Sequence, residues 1–148
     1  MNKSIVSMSE LMPVIIDKLQ SDGEVSIKIK GTSMRPFFQS DKTIVTLSKI
    51  TNELKPFDIV LYQSKEGFYV IHRFIRLVDN DFVICGDALM KNEKVAKNQL
   101  LAVVSSFTEG DKTILVTDSK YLLKVRLWVF FKPIRRLLLR INHHLRRR

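Results

Sequence analysis

Between residues 24 and 117 the chain is written in short apolar runs, several of them closed by a turn signal. "VSIKIK" (25–30) alternates strictly, with Val25, Ile27 and Ile29 on one side, the period of a half-buried strand. "TIVTLS", "DIVLY", "FYVIHRFIRLV", "DFVICG", "LLAVVSSF" and "TILVT" follow, and "KEG" at 65–67, "DN" at 79–80 and "EGD" at 109–111 mark turns between them. Many short strands and few helices predict a mainly β body with barrel-like or sandwich closure. The run 68–78 is apolar on both faces: Val70, Phe74 and Val78 fall with His72, while Ile71, Ile75 and Leu77 lie opposite. Such a strand is expected to be central and buried.

The two ends follow a helical period. "SELMPVIIDKLQ" predicts a short first helix, capped by Ser9, with Leu11, Ile15, Ile16 and Leu19 at helical spacing and Gly23 as its stop. Pro13 falls near the first turn, where its missing N–H matters little. After Pro133, the residues Ile134, Leu137, Leu138, Ile141 and Leu145 again recur as one helical face.

Charge separates this last segment from the rest. Of 25 Lys and Arg residues, ten lie between 120 and 148, where there is no acid; the other fifteen balance the fifteen Asp and Glu of the body. The expected division is therefore a neutral domain, 1–119, and a basic amphipathic helical tail, 120–148. An apolar face beside arginines, with Trp128 preceding it and Arg135, Arg136 and Arg140 around it, is the composition of a helix lying on an anionic membrane surface. Packing of the tail on the body is the competing expectation. Nucleic-acid binding is disfavoured, because phosphate contacts need the charge but not the broad apolar face. His143 and His144 have neither a nearby cysteine nor a spaced acid, so no metal site is expected, and no cofactor.

A single cysteine, Cys85, rules out a disulfide framework within the chain. The opening "MNKSIVSMSELMPVIIDKL" is interrupted by polar residues and does not read as a secretory signal, and no window of about 20 residues lacks charge. The expectation is a protein that is cytoplasmic or peripheral on the cytoplasmic face of the membrane.

The candidate chemistry starts at "IKGTSMRPFF" (29–38). Ser33 stands between Gly31, which admits backbone angles other residues resist, and Pro36, which fixes the exit of the turn. A hydroxyl held in one direction is what a nucleophile needs, together with a base, since a free serine is a weak nucleophile. Downstream, "VIHRFIRL" puts His72 in a strand and "FVICGDAL" ends the next strand at Gly86-Asp87. Taken singly, a turn serine, a core histidine and a turn aspartate are all ordinary. Arg73, alternating to the face opposite His72, reads as structural.

Taken together, these motifs resemble those of the signal peptidase I superfamily of serine peptidases, over about residues 25 to 105. "GTSMRP" is similar to its nucleophile box. "SDK" (40–42) is similar to the Gly-Asp turn after it, with Ser40 in place of glycine, and "KPFDIVLY" to a second Gly-Asp strand, with Phe57 in place of glycine. "IHRFI" resembles the His-Arg box of the histidine-base branch, and "ICGDAL" the later Gly-Asp box. The resemblance implies a signal-peptidase-type body with Ser33 as nucleophile, His72 as general base and Asp87 orienting or stabilising the imidazole. It also implies an oxyanion donor at the backbone N–H of Ser33, with Gly31, Thr32 and Met34 near the oxyanion and substrate. Self-cleavage, known in SOS-type relatives, is not expected: the chain has no Ala-Gly, and its one Cys-Gly, Cys85-Gly86, lies inside the proposed site. The expected function is a serine endopeptidase that removes a signal- or leader-type segment from a peptide or protein precursor, at the membrane surface. The alternative is a non-catalytic β-rich peptide-binding or scaffold module docked by its basic tail.

Overall fold

The computed structural model describes residues 8–146. Helix α1 (Met8–Asp22) is followed by strands β1 (Glu24–Lys28), β2 (Ile44–Ser48), β3 (Ile59–Gln63), β4 (Tyr69–Val78), β5 (Asp81–Cys85), β6 (Glu93–Val95), β7 (Leu100–Glu109) and β8 (Lys112–Leu115), then helices α2 (Ser119–Phe130) and α3 (Lys132–Leu145). The body is mainly β, as the alternation predicts. Its strands form one antiparallel sheet in the order β1-β2-β7-β3-β4-β5-β6, with β8 added to β7. The sheet is a single hydrogen-bonded path that starts at β1 and ends at β6, and among the described residues no pairing of β1 with β6 closes it into a complete barrel.

The long strand β7 makes this path possible. It pairs with β3 through Leu100–Val103, with β2 through Val103–Phe107, and with β8 from Ser106 onward. Register shifts at Thr46/Leu47 and Leu61/Tyr62 let one strand serve several neighbours.

Alternation on β3 separates two cores. Ile59 and Leu61 join the larger one, with Met12, Ile15 and Leu19 of α1, Met34 and Phe38 of the serine turn, and Tyr121 and Val125 of α2. Val60 and Tyr62 point the other way, into a smaller core with Ile84 and Val95. This explains why "IVLY" is apolar without a break: both faces are covered. On α1, Met12 takes a core position, while Leu11 and Ile16 of the predicted apolar set lie outside the core and remain partly exposed. Gly23 stops the helix at φ 81°, its N–H donating to the carbonyl of Leu19.

The tail is not one unit. Helix α2 belongs to the body: Val125 is fully buried, and the Tyr121 ring packs edge-on to Phe107 and Phe37. Asp118 caps it by accepting from the N–H of Tyr121. A boundary at 119/120 would therefore cut through a core. Helix α3 has no buried residue and presents its apolar face outward, with Ile134, Leu137, Leu138, Ile141 and Leu145 all exposed; α2 also leaves Leu123, Leu127 and Phe130 exposed. Among the described residues no helix is long and apolar enough to cross a membrane.

Candidate active site

Ser33 sits in a loop anchored from both ends. Gly31 takes φ 94°, a left-handed angle that suits glycine, and its N–H donates to the Ser40 hydroxyl at 2.9 Å. Ser40, standing where the resemblance has glycine, thus ties the loop. Past the serine, the Arg35 N–H donates to the Thr32 carbonyl and the Phe38 N–H to that of Met34, while the side chains of Met34 and Phe38 are driven into the core. The Ser33 carbonyl accepts from the N–H of Ala88 at 2.9 Å. With its neighbours fixed, Ser33 holds its Oγ 3.1 Å from His72 Nε2.

His72 comes to this point through strand register. In the β3–β4 pair Val60 lies opposite His72, and Ile59 opposite Arg73. His72 therefore shares the face of Val60 and Tyr62, and Arg73 that of Ile59 and the larger core. Beyond the imidazole, the Tyr62 hydroxyl lies 3.3 Å from His72 Nδ1 and 2.6 Å from Glu93 Oε2.

The hydrogen inventory of this chain of three fixes the tautomer. A phenol has one proton, and a carboxylate can only accept. Tyr62 gives its proton to Glu93, and its pKa is driven far above the ordinary value, by burial and then by the Glu93 carboxylate, so it stays a phenol. Its remaining lone pairs accept, which places the imidazole proton on Nδ1. The bare Nε2 then faces Ser33. Burial holds the His72 pKa below its ordinary value, opposed by the charges of Glu93 and Asp87, so the imidazole is neutral and basic near neutral pH.

Asp87 does not stand behind the imidazole, contrary to the role the resemblance implies. Both its oxygens accept from Arg73, at 2.7 Å from Nε and 2.8 Å from Nη2, in a buried bidentate pair. Arg73 is wholly buried and also donates to the Phe57 carbonyl and the Tyr121 hydroxyl. Burial opposes its charge, but the Asp87 carboxylate more than compensates, and its pKa is raised. Phe57 takes φ 81° to offer that carbonyl, in the position where the resemblance has glycine. A guanidinium that cannot lose its proton needs the carboxylate more than a neutral imidazole does. Asp87 acts on His72 through its charge alone.

No family model and no curated protein matches the chain. A polarised hydroxyl, a base with its lone pair aimed at that hydroxyl, and a phenol–carboxylate pair behind the base form an arrangement able to carry out nucleophilic acyl transfer. Beside Ser33 opens a cleft of about 340 Å³ lined by Met8, Leu11, Ile29, Gly31, Met34, Val70 and Ile71, with Lys28 and Lys30 also on its wall. Gly86 closes the site from the other side: a Cβ there would lie 2.7 Å from the Ser33 carbonyl and 3.0 Å from His72 Nε2. Tyr62, Glu93 and the packing role of Gly86 were not visible in the sequence, because strand pairing, not spacing, brings them to the histidine.

The tail residues meet the body too. The Trp128 indole N–H donates to the Asp87 carbonyl at 2.8 Å, and its ring is crossed edge-on by Phe37. Arg135 stacks on the Trp128 ring, 3.6 Å from its centroid, and donates to the Trp128 carbonyl. Arg136 donates to the Met90 carbonyl. Of the four residues expected to meet the membrane, Arg140 stands exposed on α3, while Trp128 is a body residue.

Proposed function

We propose that this chain is a serine endopeptidase of the signal peptidase type, cleaving a leader-like segment from a precursor at a membrane surface. The observation that carries the reading is the 3.1 Å approach of Ser33 Oγ to Nε2 of His72. The resemblance of "GTSMRP", "IHRFI" and "ICGDAL" to the family's boxes supports the same residues.

In this mechanism His72 Nε2 takes the proton of Ser33 as Oγ attacks the scissile carbonyl, and the imidazolium that forms is stabilised by Tyr62 and, through it, Glu93. The tetrahedral oxyanion is assigned to the backbone N–H of Ser33. Collapse expels the amine, which receives the proton back from Nε2. Water, deprotonated by the same nitrogen, then releases the acyl half. The mainly apolar cleft beside Ser33 fits small or apolar side chains preceding the scissile bond. The exposed face of α3, flanked by Arg140 and Arg136, supplies the membrane contact.

The test is covalent labelling with a fluorophosphonate followed by peptide mapping. The expected result is one modified residue, Ser33, and no labelling in His72→Ala. A folded wild-type chain that takes no label, or takes it elsewhere, would leave the non-catalytic peptide-binding reading in its place.

A further inference from the structure

Below the elbow that joins α2 to α3 lies a cleft of about 310 Å³ with an unusual charge balance. Four cations line it: Arg76 from β4, and Lys132, Arg135 and Arg136 from the first five residues of α3. The one carboxylate on its wall is Asp87, and both of its oxygens are taken by Arg73. The cleft's positive charge is therefore uncompensated from within.

Two further observations point to an anion. Cations in the first turn of a helix oppose its dipole, whose positive end is there, and α3 has no acid in that turn to offset them. The Nε of Arg135 is buried with no hydrogen-bond partner. The molecule holds this arrangement in place: Arg135 is stacked on Trp128, Arg136 is tied to the Met90 carbonyl, and Lys132 Nζ donates to Cys85 Sγ at 2.8 Å.

An apolar groove of about 390 Å³ adjoins the cleft, sharing Met90, Trp128 and Arg135 with it and walled beyond them by Pro36, Leu138 and Leu139. Charge and grease side by side fit one ligand that has both. We propose that the cleft binds the phosphate of an anionic phospholipid, with an acyl chain laid along the adjoining groove. This rests on the reading that the chain works at a membrane surface, and is independent of the chemistry at Ser33.

The experiment uses the full chain and phosphatidylcholine vesicles with and without phosphatidylglycerol, followed by co-sedimentation. Binding is expected only with phosphatidylglycerol, weakened but not abolished by moderate salt, because the groove contributes an unscreened part. Removing one cation that touches the phosphate should lower affinity about 5-fold, so Lys132→Gln/Arg136→Gln should lower it about 30-fold. Lys120→Gln/Lys124→Gln removes the same charge from exposed positions of α2 away from the cleft, and should lower it only a few-fold. Arg76→Gln, at an exposed position of β4, repeats the test without touching α3, should the double variant fold poorly. Equal losses in the cleft and control variants would overturn the site. So would stabilisation by inorganic phosphate or a DNA duplex without vesicle binding, which would assign the cations to a free phosphate or a nucleic acid. Ser33→Ala should bind vesicles as the wild type does, and fluorophosphonate labelling without vesicles should be unchanged in the cleft variants, so failure of this site and failure of the peptidase reading give different results.

Discussion

Tyr62→Phe removes a single oxygen from the interior and with it the link between His72 and Glu93. In the resting protein that link is a neutral hydrogen bond at 3.3 Å, worth about 0.5 kcal/mol at such length. In the transition state the imidazole becomes a cation and its Nδ1–H donates to a phenol polarised by a carboxylate at 2.6 Å; hydrogen bonds to charged groups contribute about 1.5–3 kcal/mol. The difference, about 1–2.5 kcal/mol, is realised only as charge develops, and at about 1.4 kcal/mol per tenfold it predicts an acylation rate about 5- to 70-fold lower. The second-order rate of fluorophosphonate labelling measures it without knowledge of the substrate, and a thermal melt reports folding in parallel. Because Glu93 is only half-buried, water can reach the carboxylate that loses its donor, so the variant should stay folded. A labelling rate within twofold of wild type, in a folded variant, would remove Tyr62 from the mechanism. A loss as complete as that of His72→Ala would show that Tyr62 does more than hold the ring.

Activity should rise with pH through a midpoint below histidine's ordinary value of about 6.5, since burial lowers the His72 pKa and only the neutral ring accepts from Ser33. Glu93→Gln removes a charge that raises this pKa, so the midpoint in the labelling profile should move to lower pH; an upward move would contradict the assigned field. The same shift links to stability: the unfolded chain takes up a proton at His72 before the folded one does, so this histidine's contribution is lost as pH falls from about 6.5 toward the lower folded pKa, seen as a falling melting temperature. Asp87→Asn should destabilise the fold by about 3–5 kcal/mol, because it leaves Arg73 charged and buried, and urea denaturation should show this even where labelling persists. Gly86→Ala should abolish labelling with a smaller loss of stability, because its Cβ presses on the Ser33 carbonyl and His72 Nε2; normal labelling would mean that the loop yields.

The strands were legible because alternation and turn residues are local signals, and each of the seven predicted runs contains a strand. Strand β6, three residues long, is too short to carry a period of its own. The Ser33–His72 pair was legible through motif resemblance, and the opposite facing of Arg73 through the two-residue period. What stands behind His72 was not. Asp87 is near it in sequence order, but a buried guanidinium competes for that carboxylate and wins it; Tyr62 and Glu93 reach the ring through β3–β4 pairing and the β5–β6 connection, which no spacing encodes. "LWVFF" was ambiguous for a similar reason: apolar density suits lipid and core alike, and it is the burial of Tyr121 and Val125, with the bonds of Trp128 to Asp87 and of Tyr121 to Arg73, that assigns α2 to the body.

His72 and Arg73 are neighbours on one strand, yet one faces Ser33 and the other the interior. Slipping β4 by a single residue against β3 would turn each to the other's face: in one direction Arg73 takes the place of His72 and Phe74 that of Arg73, in the other His72 takes the place of Arg73 and Ile71 that of His72. Such a chain would have lost the proposed base and its buried ion pair in the same step, so on the proposed mechanism a misregistered molecule would be both unreactive and unstable. Active-site titration, set against total protein, therefore counts the molecules whose strands have paired correctly, and can serve as an assay of refolding quality for this protein.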